Sequence, residues 1–463
     1  MNTKSFTVAA FLIFIAVIYG LMTWTASSDR SLEEKGFSLG VEGYIYGYPL
    51  VVMDAAKQAQ TQANDVASDA IINTFQHYRE QIPSNNAHAK SPNLDTLLST
   101  AWLDLSTGPL LFHIPDTTGR YYFIEMLDGW TSLFANPGTR TIGSKSTDYV
   151  IVGPDWQEVI PPDMPQLKAS TNMALISLHI QCFGADDYAA AQALQDQFSL
   201  APMGSSTVFP PVLIASAPPS TPSAAFVSDM TPRKYFDTLE RLLVTNPPSP
   251  ADSPIMEQLA TVEVFQDRVP ERMERDPATQ RGLDRSAPAA LEKIRSAIPS
   301  TYKMVNGWET LTTEIGTYGT NYLLRALVAA ADLGMPLLQD AVYPATSVDG
   351  ENQPLNGGHS YTLHFAKGMT PPVNAFWSLT MYNKDHTLVD NPLQRYSLQS
   401  EQTLHYNADG SLDIIIQKDA PKETQVNWLP SPEGDFTLIL RMYWPKPEVL
   451  DGIWSPPAVT RAP

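Results

Sequence analysis

Residues 371–396 read PPVNAFWSLTMYNKDHTLVDNPLQRY. Phe376, Ser378, Thr380 and Tyr382 alternate with Trp377, Leu379 and Met381, the two-residue period that sends successive side chains to opposite faces of a strand. Both rows carry apolar bulk, so this strand is expected to be covered on both faces. Asn383-Lys384-Asp385 turns the chain, and Asn391-Pro392 turns it again before Arg395-Tyr396. On either side, 361–365, 412–417 and 436–443 also read as strands, and nothing after Met335 has a sustained helical period. Residues 339–463 therefore form an all-β domain in this reading.

Upstream, 110–114, 121–127, 149–152 and 173–183 are apolar or alternating runs separated by Pro115-Asp116, Asp128-Gly129 and Pro161-Pro162. That is the spacing of a β-sandwich, placed at 97–224. The proline-rich stretch 209–223 reads as an extended crossing segment or linker. Helices are expected over 225–338: one at 235–243, one starting at Ser286 and Pro288 with Leu291, Ile294 and Ile298 on a face, and one from about 321 that closes at Gly334. The segment 31–96 is read as helical. Ser31 and Glu34 have the form of a capping box, Val41, Ile45, Tyr48 and Val52 follow at helical spacing, and Pro49 is expected to kink or split the helix. Residues 71–82 read as helix or loop.

Residues 1–30 open with Lys4, continue with an uncharged and mostly apolar run over 6–26, and end at Asp29-Arg30. Such a run is long enough to cross a hydrocarbon core of roughly 30 Å as a helix. Thr23-Trp24-Thr25-Ala26-Ser27 is a poor cleavage site, so an uncleaved transmembrane anchor is expected, with Lys4 cytoplasmic and the bulk in the periplasm. The alternative is secretion after signal cleavage.

At 463 residues, 43% hydrophobic and 17% charged, the chain is a folded protein of roughly two to three domains. Thirty basic against 49 acidic residues leave a net charge of −19, which disfavours nucleic acid as a partner. Cys182 stands alone, so no intrachain disulfide forms. The histidines show no HxH or HExxH spacing, and G-x-S-x-G, phosphate-loop and dinucleotide fingerprints are absent. No cofactor or metal is expected from spacing, although a site assembled from distant strands stays open.

The stretch 371–396, with Asn407-Ala408-Asp409-Gly410-Ser411-Leu412, Asn427-Trp428-Leu429-Pro430 and Arg441-Met442-Tyr443-Trp444-Pro445-Lys446, resembles the C-terminal half of a bacterial family pairing domain of unknown function 1254 with domain of unknown function 1214. The N-terminal half is matched through Pro92-Asn93-Leu94-Asp95-Thr96-Leu97, Gly119-Arg120-Tyr121-Tyr122 and Val152-Gly153-Pro154. The resemblance runs from about Gly43 to the C-terminus. It implies a multidomain α+β protein: an immunoglobulin-like β-sandwich, a helical region and a C-terminal jelly roll, here after the N-terminal transmembrane helix. The family has no agreed activity. Where its members often carry an arginine after the strand beginning near Thr171, this chain has His179.

Asn93-x-Asp95-Thr96, with His88 and Lys90 upstream, is the densest polar cluster of the first half. Asp95 reads as a general base or polar anchor, or as a residue that caps a helix or ties a turn. Arg120 reads as a clamp for an anionic group or as the partner of Asp104 or Asp128. On 436–443, Arg441 and Tyr443 share a face with Thr437 and Ile439, and His364 joins that face if its strand is adjacent. Trp377, Trp428, Trp444 and Trp454 serve either as sugar-stacking platforms or as core. The expected function is binding of a small molecule where the helical region meets the two sandwiches, through Asn93, Asp95, Arg120, His364, Arg395, Tyr396 and Arg441. The rival is a hydrolase with Asp95 as base beside an arginine. A third reading is a structural envelope protein. Oligomeric state is not set by the sequence.

Overall fold

The computed structural model describes residues 3–62, 71–82, 90–162, 164–216, 223–262, 264, 276–297, 301–313, 315–331, 333–422 and 426–462, with side chains described from Ser27 onward except that of Gln62. Helix α1 (Thr3–Gln62) is continuous. The expected start at Ser31 is corrected: Ser31 and Glu34 lie mid-helix, because helix-compatible residues precede them and leave no free N–H groups to cap. Pro49 lies inside α1 without splitting it. Every residue from 43 to 56 is buried, and burial on all sides outweighs one missing backbone hydrogen bond. Among the described residues no helix is long and apolar enough to cross a membrane; the expected anchor at 6–26 lies outside the described side chains.

Ten strands follow: β1 (Gln76–Glu80), β2 (Thr96–Asp104), β3 (Leu110–Ile114), β4 (Tyr122–Asp128), β5 (Leu133–Ala135), β6 (Thr147–Val152), β7 (Gln166–Lys168), β8 (Met173–Gln181), β9 (Ser199–Pro202) and β10 (Val212–Ser216), with α2 (Tyr188–Gln195) between β8 and β9. They form two sheets, β10-β1-β2-β8-β4-β5 and β7-β6-β3-β9. Leu103, Ile124 and Ile176 of one sheet meet Phe112, Ile151 and Leu200 of the other in a shared core. The assignment of 71–82 to helix or loop is corrected, since β1 pairs antiparallel to β2 and parallel to β10. The sandwich therefore begins before residue 97, and the proline-rich stretch supplies an edge strand from its proline-free residues 212–216.

Helices α3 (Ser223–Ser228), α4 (Pro232–Leu243), α5 (Ser253–Ala260), α6 (Pro277–Ser296) and α7 (Tyr322–Ala331) surround the buried half of α1. α6 begins at Asp276, whose side chain accepts from the N–H groups of Ala278 and Thr279, with Pro277 in the first position. Ser286 and Pro288 are interior to it, which corrects the expected start. The outer face of the six-stranded sheet also enters this core through Trp102, Leu127 and Leu175, so the helices pack against the sandwich from outside its own core.

The last region holds β11 (Tyr302–Val305), β12 (Trp308–Leu311), β13 (Ala341–Val342), β14 (Ala345–Thr346), β15 (Tyr361–Phe365), β16 (Trp377–Asn383), β17 (Ser397–Gln399), β18 (Leu412–Gln417), β19 (Asn427–Pro430), β20 (Phe436–Tyr443), β21 (Val459–Arg461) and the short α8 (Pro447–Leu450). One sheet runs β11-β12-β14-β20-β16-β17 with β13 also on β20; the other runs β19-β18-β15-β21. β11 and β12 carry this sheet into the span expected to be helical. β20 is buried along its whole length and β16 at all but its last residue, as alternating bulk on both faces requires. Phe436, Leu438, Leu440 and Met442 face the core between the sheets. Thr437, Ile439, Arg441 and Tyr443 turn the other way, toward the N-terminal sandwich.

Candidate functional site between the two sandwiches

Residues 90–95 link the sandwiches. The Ser91 N–H donates to the carbonyl of His386 at 2.7 Å, Lys90 Nζ to the carbonyl of Asp385 at 2.7 Å, and the Tyr382 hydroxyl to the carbonyl of Pro92 at 2.7 Å. The turn is tied by Asn93, whose Oδ1 accepts from the Asp95 N–H at 2.8 Å. Asp95 is fully buried. Its Oδ2 accepts from the hydroxyls of Ser378 at 2.6 Å and Tyr443 at 3.0 Å, and its Oδ1 from the Gln399 amide at 3.0 Å. Asn93 Nδ2 donates to the Tyr443 hydroxyl at 3.0 Å. A carboxylate of the first half is thus held by three donors of the second.

Arg441, 3% exposed, supplies the neighbouring positive charge. It donates to Thr380 Oγ1 at 3.1 Å and to the Ser91 carbonyl at 2.9 Å, and its guanidinium lies 5.5 and 5.7 Å from the ring centroids of Tyr343 and Tyr382. Burial pushes the hydroxyls of Tyr343, Tyr382 and Tyr443 above their usual range, so they stay protonated at neutral pH. Tyr343 hydrogen-bonds Tyr443, and its ring meets that of Tyr443 edge-on at 6.0 Å.

Opposite lies the outer face of the six-stranded sheet. The register aligns Gln76 with Thr100, Thr100 with Ser177, and Ser177 with Glu125 in one transverse row. All four are buried. The next row aligns Leu98 with His179 and His179 with Phe123, and Tyr78 shares the face of Gln76 by strand parity. The segment after α7 crosses this face: the Leu337 N–H donates to Glu125 Oε1 at 3.0 Å. Gln76 is 1% exposed, and neither its amide nitrogen nor its oxygen has a hydrogen-bond partner among the described residues.

His179 lies flat on Phe123, with ring centroids 4.6 Å apart, Nδ1 3.3 Å from Thr96 Oγ1 and Nε2 3.2 Å from Ser177 Oγ. Burial holds its pKa down to about 4, so the imidazole is neutral, donating through one nitrogen and accepting through the other. The sheet face and the tyrosines of this junction carry hydroxyls, an amide and a neutral imidazole, the groups that recognise an uncharged polar molecule by paired donors and acceptors. Among the described residues no group of three or more His, Cys, Asp or Glu could hold a metal ion.

The structure brings Asn93, Asp95 and Arg441 together, leaves Tyr396 at the rim of the same junction and places Arg120, His364 and Arg395 elsewhere. Arg120 pairs with Asp187, at 2.5 and 2.8 Å, and with the Gln181 carbonyl at 2.7 Å. Its expected partners are occupied: Asp104 caps a 3-10 turn, and Asp128 accepts from Trp130 and Ser132. His364 is on β15, in the other sheet of the last sandwich, exposed and 2.6 Å from Asp413, so it does not join the Arg441 face. Arg395 donates to the Trp428 carbonyl at 3.0 Å and lines a surface groove of about 510 Å3. Tyr396 donates to Asp390 at 2.9 Å and packs at the rim beside Leu94 and Tyr382. Trp377 and Trp454 lie in the sandwich core. His88 is outside the described residues. Gln76, Thr100, Ser177, Glu125 and Tyr343 were not among the expected residues. A signal existed for Glu125, the one charge inside the apolar run Tyr122-Phe123-Ile124-Glu125-Met126-Leu127.

Two family models match the chain, each described as a protein of unknown function: DUF1254 over residues 72–202 and DUF1214 over 340–447. No curated protein matches. Among solved structures, the chain is similar to the VPA0106 protein from Vibrio parahaemolyticus, with 22% identity and a TM-score of 0.69 over 92% of this chain and 100% of that one, a likeness of fold. An uncharacterized protein from Burkholderia cenocepacia aligns at 12% identity over 96% of this chain and 97% of that one, with a TM-score of 0.39. The DUF1254 match covers the first sandwich except β10 and the DUF1214 match most of the second, in that order, and the chain belongs to the family that pairs the two.

Proposed function

We propose that the protein is a binding protein for an uncharged, hydroxyl-rich small molecule held between the two sandwiches. The observation that carries this reading is Gln76, a buried amide with four hydrogen-bonding positions and no partner among the described residues. Leaving such a group unsatisfied costs roughly 1–3 kcal/mol, a cost that a bound hydroxyl would remove. The surroundings favour an uncharged ligand: His179 is neutral, the tyrosines are protonated, and Asp95 and Arg441 are engaged with each other's domains. A hydrolase using Asp95 as base has less support, because three donors already occupy its oxygens.

We further infer an exported protein anchored by residues 6–26, on the strength of their uncharged, mostly apolar composition and of the helical backbone that runs from them into the core. The two-sheet packing of each β region supports immunoglobulin-like and jelly-roll topologies for the first and second sandwich.

The test is a thermal-shift series on the full chain with glycerol, glucose, N-acetylglucosamine and trehalose, and with acetate and phosphate as anionic controls. A hydroxyl-rich compound raises the Tm of the wild type by mass action. Gln76→Met, which removes the amide at similar volume, has a ligand-free Tm at or above that of the wild type and loses the shift. A variant that is less stable and still responds would show the amide to be structural and overturn the reading, as would a wild type that answers only to the anions.

A further inference from the structure

We propose a second binding site, within the helical region, for a single-chain amphiphile with a carboxylate head. α1, α3, α6 and α7 line a half-open pocket of about 310 Å3 walled largely by apolar side chains, among them Leu291, Ile294 and Leu327. Apolar cavities of about 150 Å3 admit benzene, so this one has room for an acyl chain. Walls of this kind offer nothing to a sugar and bind a hydrocarbon chain by removing it from water.

The polar atoms of the lining are few and near one another. Tyr48 shares a hydrogen bond with Ser228, and the positive charge of Arg295 acts on the Tyr48 hydroxyl. Arg295 forms no ion pair among the described residues, whereas Arg281 and Arg285 of the same helix are paired with Glu33 and Glu34. A cation in the last turn of α6 favours the helix dipole, but that alone does not place it at the mouth of an apolar cavity. On a chain of net charge −19, an unpaired guanidinium beside a hydroxyl at the end of an apolar cavity complements an anionic head with a hydrocarbon tail. A carboxylate meets the planar fork through two parallel bonds, and the tail fills the cavity. This site is separate from the junction between the sandwiches and does not depend on it.

The experiment uses the full chain in lipid nanodiscs with two photoreactive probes, a diazirine-bearing dodecanoate and the corresponding dodecylamine, and maps the labelled peptides by mass spectrometry. In the wild type the acid labels α6 and α7 peptides in preference to the amine. Arg295→Glu lowers labelling by the acid about tenfold, the loss of one charge-assisted contact, and raises labelling by the amine, while Arg295→Lys keeps the preference for the acid. Ala330→Trp, which fills the cavity, removes labelling by both. Labelling of α6 and α7 that survives Ala330→Trp, or that is indifferent to head-group charge in both the wild type and Arg295→Glu, overturns the proposal. Because the charge reversal predicts a gain for the amine, a merely unfolded variant cannot imitate it.

Discussion

Asp95 is the residue on which the two halves of the molecule meet, and its three donors decide what substitution does. Ser378, Gln399 and Tyr443 come from β16, β17 and β20, so removing the acceptor leaves three buried donors on one sheet. Asp95→Ala is expected to destabilise by about 3–5 kcal/mol, the range for breaking one side of a buried charged network. Asp95→Asn keeps the volume but turns an acceptor into a donor. With its nitrogen in the place of Oδ2 the amide keeps the Gln399 bond to Oδ1, and the hydroxyls of Ser378 and Tyr443 must turn round to accept, so a smaller loss of about 1–3 kcal/mol follows. Urea unfolding of the full chain, followed separately by fluorescence and far-UV circular dichroism, measures both. An unchanged midpoint for Asp95→Ala would mean that the junction is held elsewhere.

At the scale of elements, α1 and α6 approach so closely that glycine decides their distance. A Cβ on Gly282 would sit 2.1 Å from the Glu33 carbonyl oxygen and 2.6 Å from the Phe37 nitrogen, and one on Gly36 would sit 2.6 Å from the Thr279 carbonyl oxygen. In an open helix Gly→Ala stabilises by about 1 kcal/mol. Here the backbones must move apart, and Gly282→Ala is expected to destabilise by roughly 1–3 kcal/mol and lower Tm; an equal or higher Tm would show that the helices are not in contact there. These glycines also mark where sequence reading stopped. β16 and β20 were legible because a strict two-residue period survives in Phe376–Tyr382 and Phe436–Tyr443. β1 was not, because Gln76-His77-Tyr78-Arg79-Glu80 buries polar side chains on both faces and leaves no apolar alternation to read. The start of α6 was misplaced because Pro288 resembles a first-turn proline, whereas the true start carries the same signature earlier, in the Asp276 cap and Pro277.

Across the whole molecule, the junction was legible at Asp95, in the polar cluster that leads into β2, and at Arg441, a charge on an otherwise apolar strand, and illegible where strand neighbours decide. Arg120, His364 and Arg395 have suitable chemistry, but the fold sends each to another surface and leaves Tyr396 at the rim, whereas sheet order assembles Gln76, Thr100, Ser177 and Glu125 into a row. The same sheet buries a histidine on each face. His179 faces the junction, and His77 faces inward, with Nδ1 2.9 Å from Ser99 Oγ. Burial lowers both to about 4 from an ordinary value near 6.5; for His77 the charge of Arg79 adds to this and Asp196 opposes it. The folded state thus resists protonation that the unfolded chain accepts. Stability from this source is full above about pH 6.5 and is lost as pH falls toward 4, at up to about 1.4 kcal/mol per pH unit for each histidine. The Tm of the wild type measured from pH 7.5 to 4.5 should fall more steeply than that of His77→Gln/His179→Gln, which has no imidazole to protonate on this sheet. Comparing slopes cancels the carboxylates common to both proteins, and parallel slopes would mean that the imidazoles titrate alike in the folded and unfolded chain.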